Sequence, residues 1–306
     1  STIARAISEL MPTPHETAVA IAERTITRLG GMFDALGSAE QGGGLYDLYR
    51  LLFADAFGVD DTRIIELRLR RFEHDALLMV DDWLDEAFDI GNEQAAEQLS
   101  ARGFVASALL ALAVPAMQLA KQAIEITLKS QTVRALALAK LGTDPALIFG
   151  DITRPGILAP GPMVREIARW LVVVANHTHE AAISQTLTDT GERPEDWGKQ
   201  AIAAIDERTT ETCLLVHGQV KPFDEPFELS GKPWDQAQFY GFSDKQPPFH
   251  WWCRDTLALV LMSEANDHMT QRMRAAADAE LLARADGSRQ EIHPANAFSW
   301  RGAAVS

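Results

Sequence analysis

The sequence predicts a mainly α-helical protein with a small α+β domain toward its C-terminal end, where short strands and loops surround two chemically distinctive segments. Three observations lead to this prediction. Apolar residues recur at spacings of three and four through most of the first half. Residues 141–162 then contain four prolines and four glycines, too many for a regular element. Beyond Thr210 the helical period is lost, and turn residues alternate with short apolar patches.

The length and the proline-rich segment predict two folded parts. A chain of 306 residues fits about two domains of roughly 150 residues each. We therefore predict a helical domain over 1–145, a Pro/Gly-rich linker over 146–162, an α+β domain over 163–285 and an extended C-terminal arm over 286–306.

The first half is predicted to consist of long helices. The first helix is predicted to begin at Thr13, because Thr13 and Glu16 have the spacing of a capping box, and to end at Gly30-Gly31. The last helix is predicted to bend near Gly103 or Pro115. After the first helix, the sequence predicts a loop at 42–44 and helices over about 46–58, 61–90 and 94–141, the last of which contains the predicted bend.

The second half begins with a predicted long helix over about 163–191. The next segment, RPEDWGKQAIAAIDERT, predicts a short helix with Pro194 near its start. Short strands and loops are expected beyond Thr210, and residues 256–286 predict a final helix.

Composition limits the ligands and the cellular compartment that we expect for this chain. Forty-three acidic against 28 basic residues give a net charge of −15, which repels phosphate backbones, so DNA contact is at most secondary. Two cysteines and a start without the charged-then-apolar run of a signal peptide lead us to expect folding in a reducing cytoplasm. The uncharged stretch 104–120 is too short for a membrane span, so we expect a buried helix and no membrane partner.

The chemistry concentrates in two segments that each hold one cysteine. The first is DERTTETC, residues 206–213, and the second is PPFHWWCRD, residues 247–255. Two successive prolines fix the backbone, so the histidine and the cysteine three residues later leave a preformed turn. We expect Asp206 to be buried and paired with Arg208 or Arg254, in a structural and not a catalytic role.

These segments resemble the C-terminal domain of the phage Mu F-type minor head proteins, the head morphogenesis family. That family carries Asp-x-Arg-Thr, a following cysteine and glycine, and Pro-Pro-x-His-x-x-Cys-Arg. The resemblance covers about residues 165–260, with Asn176, Glu180 and Trp197 also at family positions. Many members have a further cysteine where this chain has Asp255. The matching motif positions are Asp206, Arg208, Thr209, Cys213, Gly218, Pro247, Pro248, His250, Cys253 and Arg254.

The resemblance implies a minor head protein of a tailed phage or prophage-derived particle. Such a protein acts in head morphogenesis through protein contacts at or near the portal vertex. Its partners would be the portal protein, the major capsid protein or other copies of itself, and it would be assembled in the host bacterial cytoplasm into the portal region of the virion head. The resemblance implies no reaction, and the sequence holds no phosphate loop or nucleophile elbow, so we expect a protein that is not an enzyme.

Alternatives remain open for the cysteines and for the function. Cys213, His217, His250 and Cys253 have the chemistry of tetrahedral zinc ligands. Packing thiols without a cofactor, or a disulfide formed in the released particle, are the other interpretations. For the whole chain, the alternatives are an enzyme or toxin-like domain that uses a Cys/His site, and an internal virion protein that contacts DNA.

Two surfaces are predicted to contact partners. Arg63, Arg70 and Arg71 lie near one helical face and could contact DNA or an acidic partner, although a solvated helix face is the simpler interpretation. Phe298 and Trp300 in the arm are expected to insert into an apolar groove of another subunit.

For two further groups of residues, the sequence predicts only a position in the fold. His177, Thr178 and His179 are expected at the surface or in caps. A group of seven aromatic residues in the second half is expected to form the core of the small domain. These are Trp234, Phe239, Tyr240, Phe242, Phe249, Trp251 and Trp252.

Overall fold

The structure, a computed structural model, describes residues 12–37, 45, 48, 52, 61–107, 110–143, 148 and 160–291. Within these residues the chain is mainly helical, with one small antiparallel sheet, which confirms the predicted fold class. The glycine loop at 42–44 lies outside the described residues. So do most of the helix predicted over 46–58, most of the linker, and Phe298 and Trp300 of the arm.

Four long helices build the larger part of the molecule. They are α1 (Pro14–Gly37), α2 (Thr62–Ala101), α3 (Leu110–Lys140) and α4 (Pro160–Thr190). Helix α4 lies at the centre and packs against the other three helices. The core contains large side chains from each helix, among them Phe33, Phe72, Ile124 and Leu171. Burial of each such side chain stabilises the fold by about 1.5–3 kcal/mol.

Helix α1 continues through the glycine pair where the sequence predicted its end. Leu29, Phe33 and Leu36 are buried at helical spacing on both sides of this pair. Their packing outweighs the cost of about 1 kcal/mol that each glycine adds to a helix interior. Gly30 also faces the side chain of Arg254, whose Cδ would lie 3.7 Å from a Cβ at that position.

The single bent helix predicted over 94–141 is wrong, because the chain leaves the helix between α2 and α3. Helix α2 ends at Ala101, and Gly103 adopts a left-handed conformation with φ of 84°. Phe104 N donates to Leu99 O at 2.9 Å, which closes the end of the helix. Pro115 is accommodated inside α3.

Three strands form an antiparallel sheet in the order β2–β1–β3. They are β1 (Trp197–Ile202), β2 (Val220–Pro222) and β3 (Thr256–Leu261). The sequence predicted helices where β1 and β3 lie, and both predictions are wrong. Alanine and leucine favour a helix in isolation, but tertiary packing overrides that preference when a segment is buried between two layers.

Strand β1 is buried along its whole length. Ile202 packs against α1, while Ala201 on the opposite face packs with Cys213 and Phe249. Gly198 brings the neighbouring strand close, since a Cβ there would lie 2.7 Å from Lys221 O. A helix could not present residues to both layers in this alternating way.

The remaining elements are short, apart from the last helix. The α-helices are α5 (Glu211–Val216), α6 (Trp234–Ala237) and α7 (His268–Ala285), and 3₁₀ turns occupy Pro194–Asp196, Gln238–Tyr240 and Met262–Glu264. The short helix predicted after Pro194 is therefore limited to one 3₁₀ turn before β1.

The helical layer and the sheet share a core. Ala18 and Ile26 of α1 cluster with Ile202, Ala258 and Met273 from the other side of the predicted linker. The boundary at 146–162 stays a prediction. Within the described part of the chain, no helix is both long enough and apolar enough to span a membrane.

The outer edge of β3 is covered by amide side chains from the helices. Gln94 Nε2 donates to Leu257 O at 2.6 Å, and Leu259 N donates to Gln98 Oε1 at 2.8 Å. Asn176 Nδ2 donates to Asp255 O at 3.2 Å. Backbone groups that an edge strand would leave unpaired are thus satisfied by α2 and α4.

Helices α2 and α4 approach each other closely at Gly91. A Cβ at this position would lie 2.2 Å from the carbonyl oxygen of Ala175, a backbone atom that cannot turn away. We expect Gly91→Ala to lower the free energy of unfolding by about 1–3 kcal/mol, because the helices must separate. Chemical denaturation followed by circular dichroism measures this difference.

Gly31→Ala is the matched control. Gly31 is exposed in α1, and a Cβ there would meet no described atom within 4 Å. This substitution should stabilise the protein by about 0.5–1 kcal/mol through helix propensity. Equal stability of the two variants would contradict the close approach of α2 and α4.

His179 is buried, together with Thr178, which corrects their assignment to the surface. His179 Nε2 lies 3.0 Å from Gln98 Oε1, an oxygen that also accepts from Leu259 N, so Nε2–H donates. Burial lowers the pKa of His179 from 6.5 to about 3. The imidazole is therefore neutral in the folded protein at mildly acidic pH.

This lowered pKa predicts a loss of stability on acidification. The unfolded chain binds a proton at His179 below about pH 6.5 and the folded chain only near pH 3, so stability falls as pH drops through this window. The expected slope is about 1.4 kcal/mol per pH unit. His179→Gln, which keeps a donor for Gln98, should remove this contribution.

His177→Gln provides the comparison, since His177 is half-buried on the same helix and burial lowers its pKa in the same direction. This variant should therefore remove a smaller part of the pH dependence than His179→Gln. Unfolding free energies measured between pH 4 and pH 7 compare the two variants with the unsubstituted chain. An unchanged pH slope in His179→Gln would show that His179 is not held neutral.

Candidate functional site

The sheet brings the two motif segments together. Ile202 at the end of β1 pairs with Thr256 at the start of β3. Because the strands are antiparallel, the chain after β1 and the chain before β3 leave the sheet at the same end. The first path runs through residues 206–213 into α5, and the second contains residues 247–255.

Two cysteines and a histidine meet between these paths. Cys213 Sγ lies 2.8 Å from His250 Nε2 and 4.0 Å from Cys253 Sγ. All three side chains are about 2% exposed, and both cysteines are free thiols. The three ligand atoms lie within 4.8 Å of one another. We call this group the Cys-His-Cys cluster.

The orientation of His250 is fixed from its other nitrogen. His250 Nδ1 lies 2.6 Å from Trp251 O, so Nδ1–H donates and Nε2 keeps its lone pair toward the cluster. Thr210 Oγ1 lies 2.9 Å from Nε2. Thr210 is also the N-cap of α5. The same residue therefore begins the helix that carries Cys213 and contacts the imidazole.

The turn between His250 and β3 is tight. Trp252 adopts a left-handed conformation with φ of 66°, which is strained for a bulky residue. This turn places Cys253 on the same side as His250. Pro247 and Pro248 are buried before it, and the peptide bond between them is cis.

The cluster is an environment that disfavours negative charge. Burial raises the pKa of Cys213 well above its ordinary value, and the neighbouring Cys253 thiol and Asp255 charge add to the effect. Burial also raises the pKa of the Asp255 carboxyl, to about 6. Cys213 is therefore held as a thiol at neutral pH.

His217 does not join the cluster. Its Nδ1 accepts from Ala203 N at 2.9 Å, and burial lowers its pKa to about 4. The imidazole instead accepts the hydrogen bond of the Ala203 amide, just beyond the end of β1, in place of a backbone carbonyl. The structure thus brings together three of the four residues that the sequence nominated as zinc ligands.

Asp206 and Arg254 form the ion pair that the sequence predicted as one of two alternatives. Arg254 Nη2 contacts both carboxylate oxygens, at 2.7 and 2.8 Å. Burial opposes ionisation of Asp206, but Arg254 and the donors of Thr209 and Arg208 outweigh it, so the pKa of Asp206 is lowered. The Asp206 side chain is 38% exposed and so is not buried as expected.

Arg208 and Arg284 hold the same loop to other elements. Arg208 Nη1 donates to Asp34 of α1 at 3.0 Å. Arg284 of α7 donates to Thr209 O at 2.6 Å and to Asp206 O at 3.0 Å. The loop at 206–209 is therefore attached to both ends of the described chain.

The structure explains why a glycine occupies position 218, in the turn after α5. Its φ is 78°, and a Cβ would lie 3.3 Å from Met273 Cβ. Its amide donates to Ala201 O at 2.8 Å. A glycine is favoured here by both the backbone conformation and the close approach of α7.

The predicted aromatic core is only partly formed. Phe249 is fully buried and packs edge-on against Phe227, a core residue that the sequence analysis did not single out. Trp252 packs against the helical core. Phe239 and Tyr240 are 82% and 61% exposed, which corrects their assignment to the core. They lie on a short 3₁₀ turn, where successive side chains cannot all face inward.

Trp251 lies at the surface of the helical layer, beside two arginines of α4. The guanidinium of Arg165 is 4.4 Å from the centre of the Trp251 ring, and that of Arg169 is 4.5 Å from the Phe242 ring. Both distances are those of cation–π contacts.

Two arginines of the group on α2, Arg70 and Arg71, are paired within their own helix. Arg70 contacts Glu66 at 2.9 Å and Arg71 contacts Asp75 at 3.3 Å, both with largely exposed arginine side chains. This arrangement fits a solvated helix face. Contact of Arg63, Arg70 and Arg71 with a partner stays a prediction.

Comparisons with protein-family models, curated proteins and solved structures found no match to this chain. The resemblance to the Mu F-type minor head proteins therefore rests on the ten motif residues and their order. The structure adds that six of these residues, from two separate segments, line one small cavity: Arg208, Thr209, Cys213, His250, Cys253 and Arg254.

Sequence reasoning missed three residues that shape this place. Thr210 and Arg284 carried no motif signal, and their contacts depend on the packing of α5 and α7. Asp255 was noticed only as a departure from the family pattern. Its position directly after Arg254 was the signal that could have marked it as a member of the site.

Removal of the Arg254 guanidinium tests the ion pair. We expect Arg254→Ala to lower the free energy of unfolding by about 1–2 kcal/mol, less than for a fully buried pair because Asp206 is partly exposed. Thermal or chemical denaturation measures the change.

Arg193→Ala provides a control with similar geometry at the surface. Arg193 contacts Asp196 through two nitrogens, both at 2.9 Å, but these side chains are 70% and 43% exposed. Its removal should change stability by less than about 0.5 kcal/mol. A cost for Arg254→Ala no greater than for Arg193→Ala would contradict a structural role of the pair.

Proposed function

We propose that this chain is a minor head protein of a tailed phage or prophage-derived particle, which acts in head morphogenesis by protein contacts at or near the portal vertex. One observation carries the proposal. The residues that resemble the Mu F-type motif come from segments 40 residues apart at the two cysteines, and they meet as the Asp206–Arg254 pair and the Cys-His-Cys cluster. Such convergence is expected if the resemblance reflects a shared fold.

The closed nature of the site supports a structural role for the motif. Cys213, His250 and Cys253 are buried, and Asp206 is engaged by Arg254 and Thr209. The contacts of Asp206 with Arg254 and of Cys213 with His250 and Cys253 join one segment of the chain to another. A motif of this kind stabilises a surface that binds partners, and the portal protein, the major capsid protein or further copies of the chain are the partners we propose.

A second candidate function is an enzyme that uses Cys213 as nucleophile and His250 as base. The observation in its favour is the 2.8 Å distance between Cys213 Sγ and His250 Nε2. The raised pKa of Cys213 opposes it, since reactive cysteines have lowered pKa values. Turnover of a peptide, ester or nucleotide that is lost in a Cys253→Ser/His250→Ala double variant would favour this candidate.

The proposal is tested in the host that produces the particle. We expect deletion of the gene to reduce the yield of filled heads, and an epitope-tagged chain to co-purify with heads in a density gradient at few copies per particle. Immunoblotting of gradient fractions and electron microscopy of the particles measure both effects.

Two substitutions connect this test to the motif. Complementation with Arg254→Ala should restore fewer filled heads than complementation with the surface control Arg193→Ala. Normal heads from the deletion strain, with no tagged chain in purified heads, would contradict the proposed function.

A further inference from the structure

The Cys-His-Cys cluster has the dimensions of a zinc site. In a tetrahedral site with Zn–S bonds of about 2.3 Å, two sulfurs lie about 3.8 Å apart. Cys213 Sγ and Cys253 Sγ are 4.0 Å apart, and all three ligand atoms lie within 4.8 Å of one another. A zinc ion would require His250 Nε2 to move about 0.7 Å away from Cys213 Sγ. The two sulfurs already have the required separation.

The histidine is prepared as a ligand by its other nitrogen. A metal-binding histidine generally donates its second ring N–H to a carboxylate, a backbone carbonyl or water, which fixes the tautomer. His250 Nδ1 lies 2.6 Å from Trp251 O, and its Nε2 faces both thiols. The strained turn at Trp252 holds this arrangement between His250 and Cys253.

Asp255 is the candidate for a fourth ligand, since its carboxyl is buried beside the cluster. Its oxygens lie outside the group of three ligand atoms that are within 4.8 Å of one another, so the side chain would have to move toward a bound ion. This side chain is 2% exposed, and among the described residues no donor lies within hydrogen-bonding geometry of its Oδ2. The carboxyl lies beside Cys213 and Cys253, because both thiols interact with it. A small cavity between the two segments is lined by Thr210 together with these residues and His250.

We propose that Cys213, His250, Cys253 and Asp255 bind one zinc ion, which joins the loop before α5 to the turn before β3. Four ligands from the protein make a closed structural site, without the open position that a catalytic zinc needs. The inference rests on the geometry of Cys213, His250 and Cys253 and on the buried carboxyl of Asp255 beside them, and does not depend on the proposed function.

Charge explains why a cation fits this place. A buried carboxyl and two buried thiols cannot all ionise without a positive partner. On zinc binding, each thiol releases its proton to solvent, the carboxylate binds as an anion, and His250 binds as the neutral imidazole. One negative charge then remains, and it faces Arg254, whose charge interacts with Cys213 and Asp255.

The ligand types select the metal. Thiolate and imidazole ligands favour zinc over magnesium and calcium, which prefer sites made of oxygen ligands only. Two thiolates, one imidazole and one carboxylate also suit Co²⁺, which serves as a spectroscopic probe.

The experiment uses the full chain, purified without chelator from zinc-supplemented cells. We expect about one zinc per chain by mass spectrometry of the metal content, and a fall in melting temperature after chelation. Replacement by Co²⁺ should give thiolate-to-cobalt charge-transfer bands in the near ultraviolet and the intense visible bands of a tetrahedral site.

Substitutions assign the ligands. Cys253→Ser should lower zinc affinity more than about 100-fold and weaken the charge-transfer bands. Asp255→Asn should lower affinity by a smaller factor and shift the visible bands, while both thiolates remain. His177→Gln, which alters a histidine outside the cluster, should bind zinc like the unsubstituted chain.

Three results would overturn the proposal. The first is a chain that binds neither zinc nor Co²⁺, whether or not the variants fold. The second is a disulfide, seen as the absence of both free thiols in the denatured and chelated protein. The third is Asp255→Asn with unchanged affinity and an unchanged cobalt spectrum, which would remove Asp255 from the site.

Discussion

The position of the residues after α4 depends on the hydrogen bonds that the backbone at the outer edge of β3 makes with helix side chains. Gln94 and Gln98 of α2 and Asn176 of α4 bind the backbone of residues 255–259 in place of another strand. Each bond contributes about 0.5–1.5 kcal/mol, and an unpaired buried backbone group would cost about 1–3 kcal/mol. The bonds are directional, so they fix the register of β3 along the helices as well as its stability.

This register determines where the site can form. Asp255 is held through its backbone by Asn176, and Thr256 Oγ1 lies 2.9 Å from Asn176 Oδ1. The turn with His250 and Cys253 is therefore fixed from its C-terminal end. From the other side, Arg208 and Arg284 attach the loop before α5 to α1 and α7. The site lies between two segments that are each held by the helices.

The sequence predicted long helices, short strands after Thr210 and a possible Asp206–Arg254 pair between the two motif segments, but it assigned β1 and β3 to helices. A period of three and four located α4 and the first part of α2, but the end predicted at residue 90 is wrong, because α2 continues to Ala101. Strands β1 and β3 have no alternation of polar and apolar residues because both of their faces are covered, so their alanines and leucines resembled helix. At the site, residue types and spacing identified Cys213, His250, Cys253 and Arg254. The contributions of Thr210 and Arg284 came from tertiary packing, which no local pattern encodes.

The covering of β3 by helical side chains also constrains the order in which the molecule is completed. Gln98 and Leu259 are 161 positions apart, and Gln94 and Leu257 are 163 apart. Helices form from local contacts and can appear early in synthesis, whereas pairings this distant must wait for the chain. Until the ribosome has released β3, Gln94 lacks its backbone acceptor Leu257 O, whereas the side-chain amides of Gln98 and Asn176 can donate to the helix carbonyls of Ala18 and Val172. These amide side chains therefore reach their full set of hydrogen bonds only when β3, the last strand of the sheet, is in place.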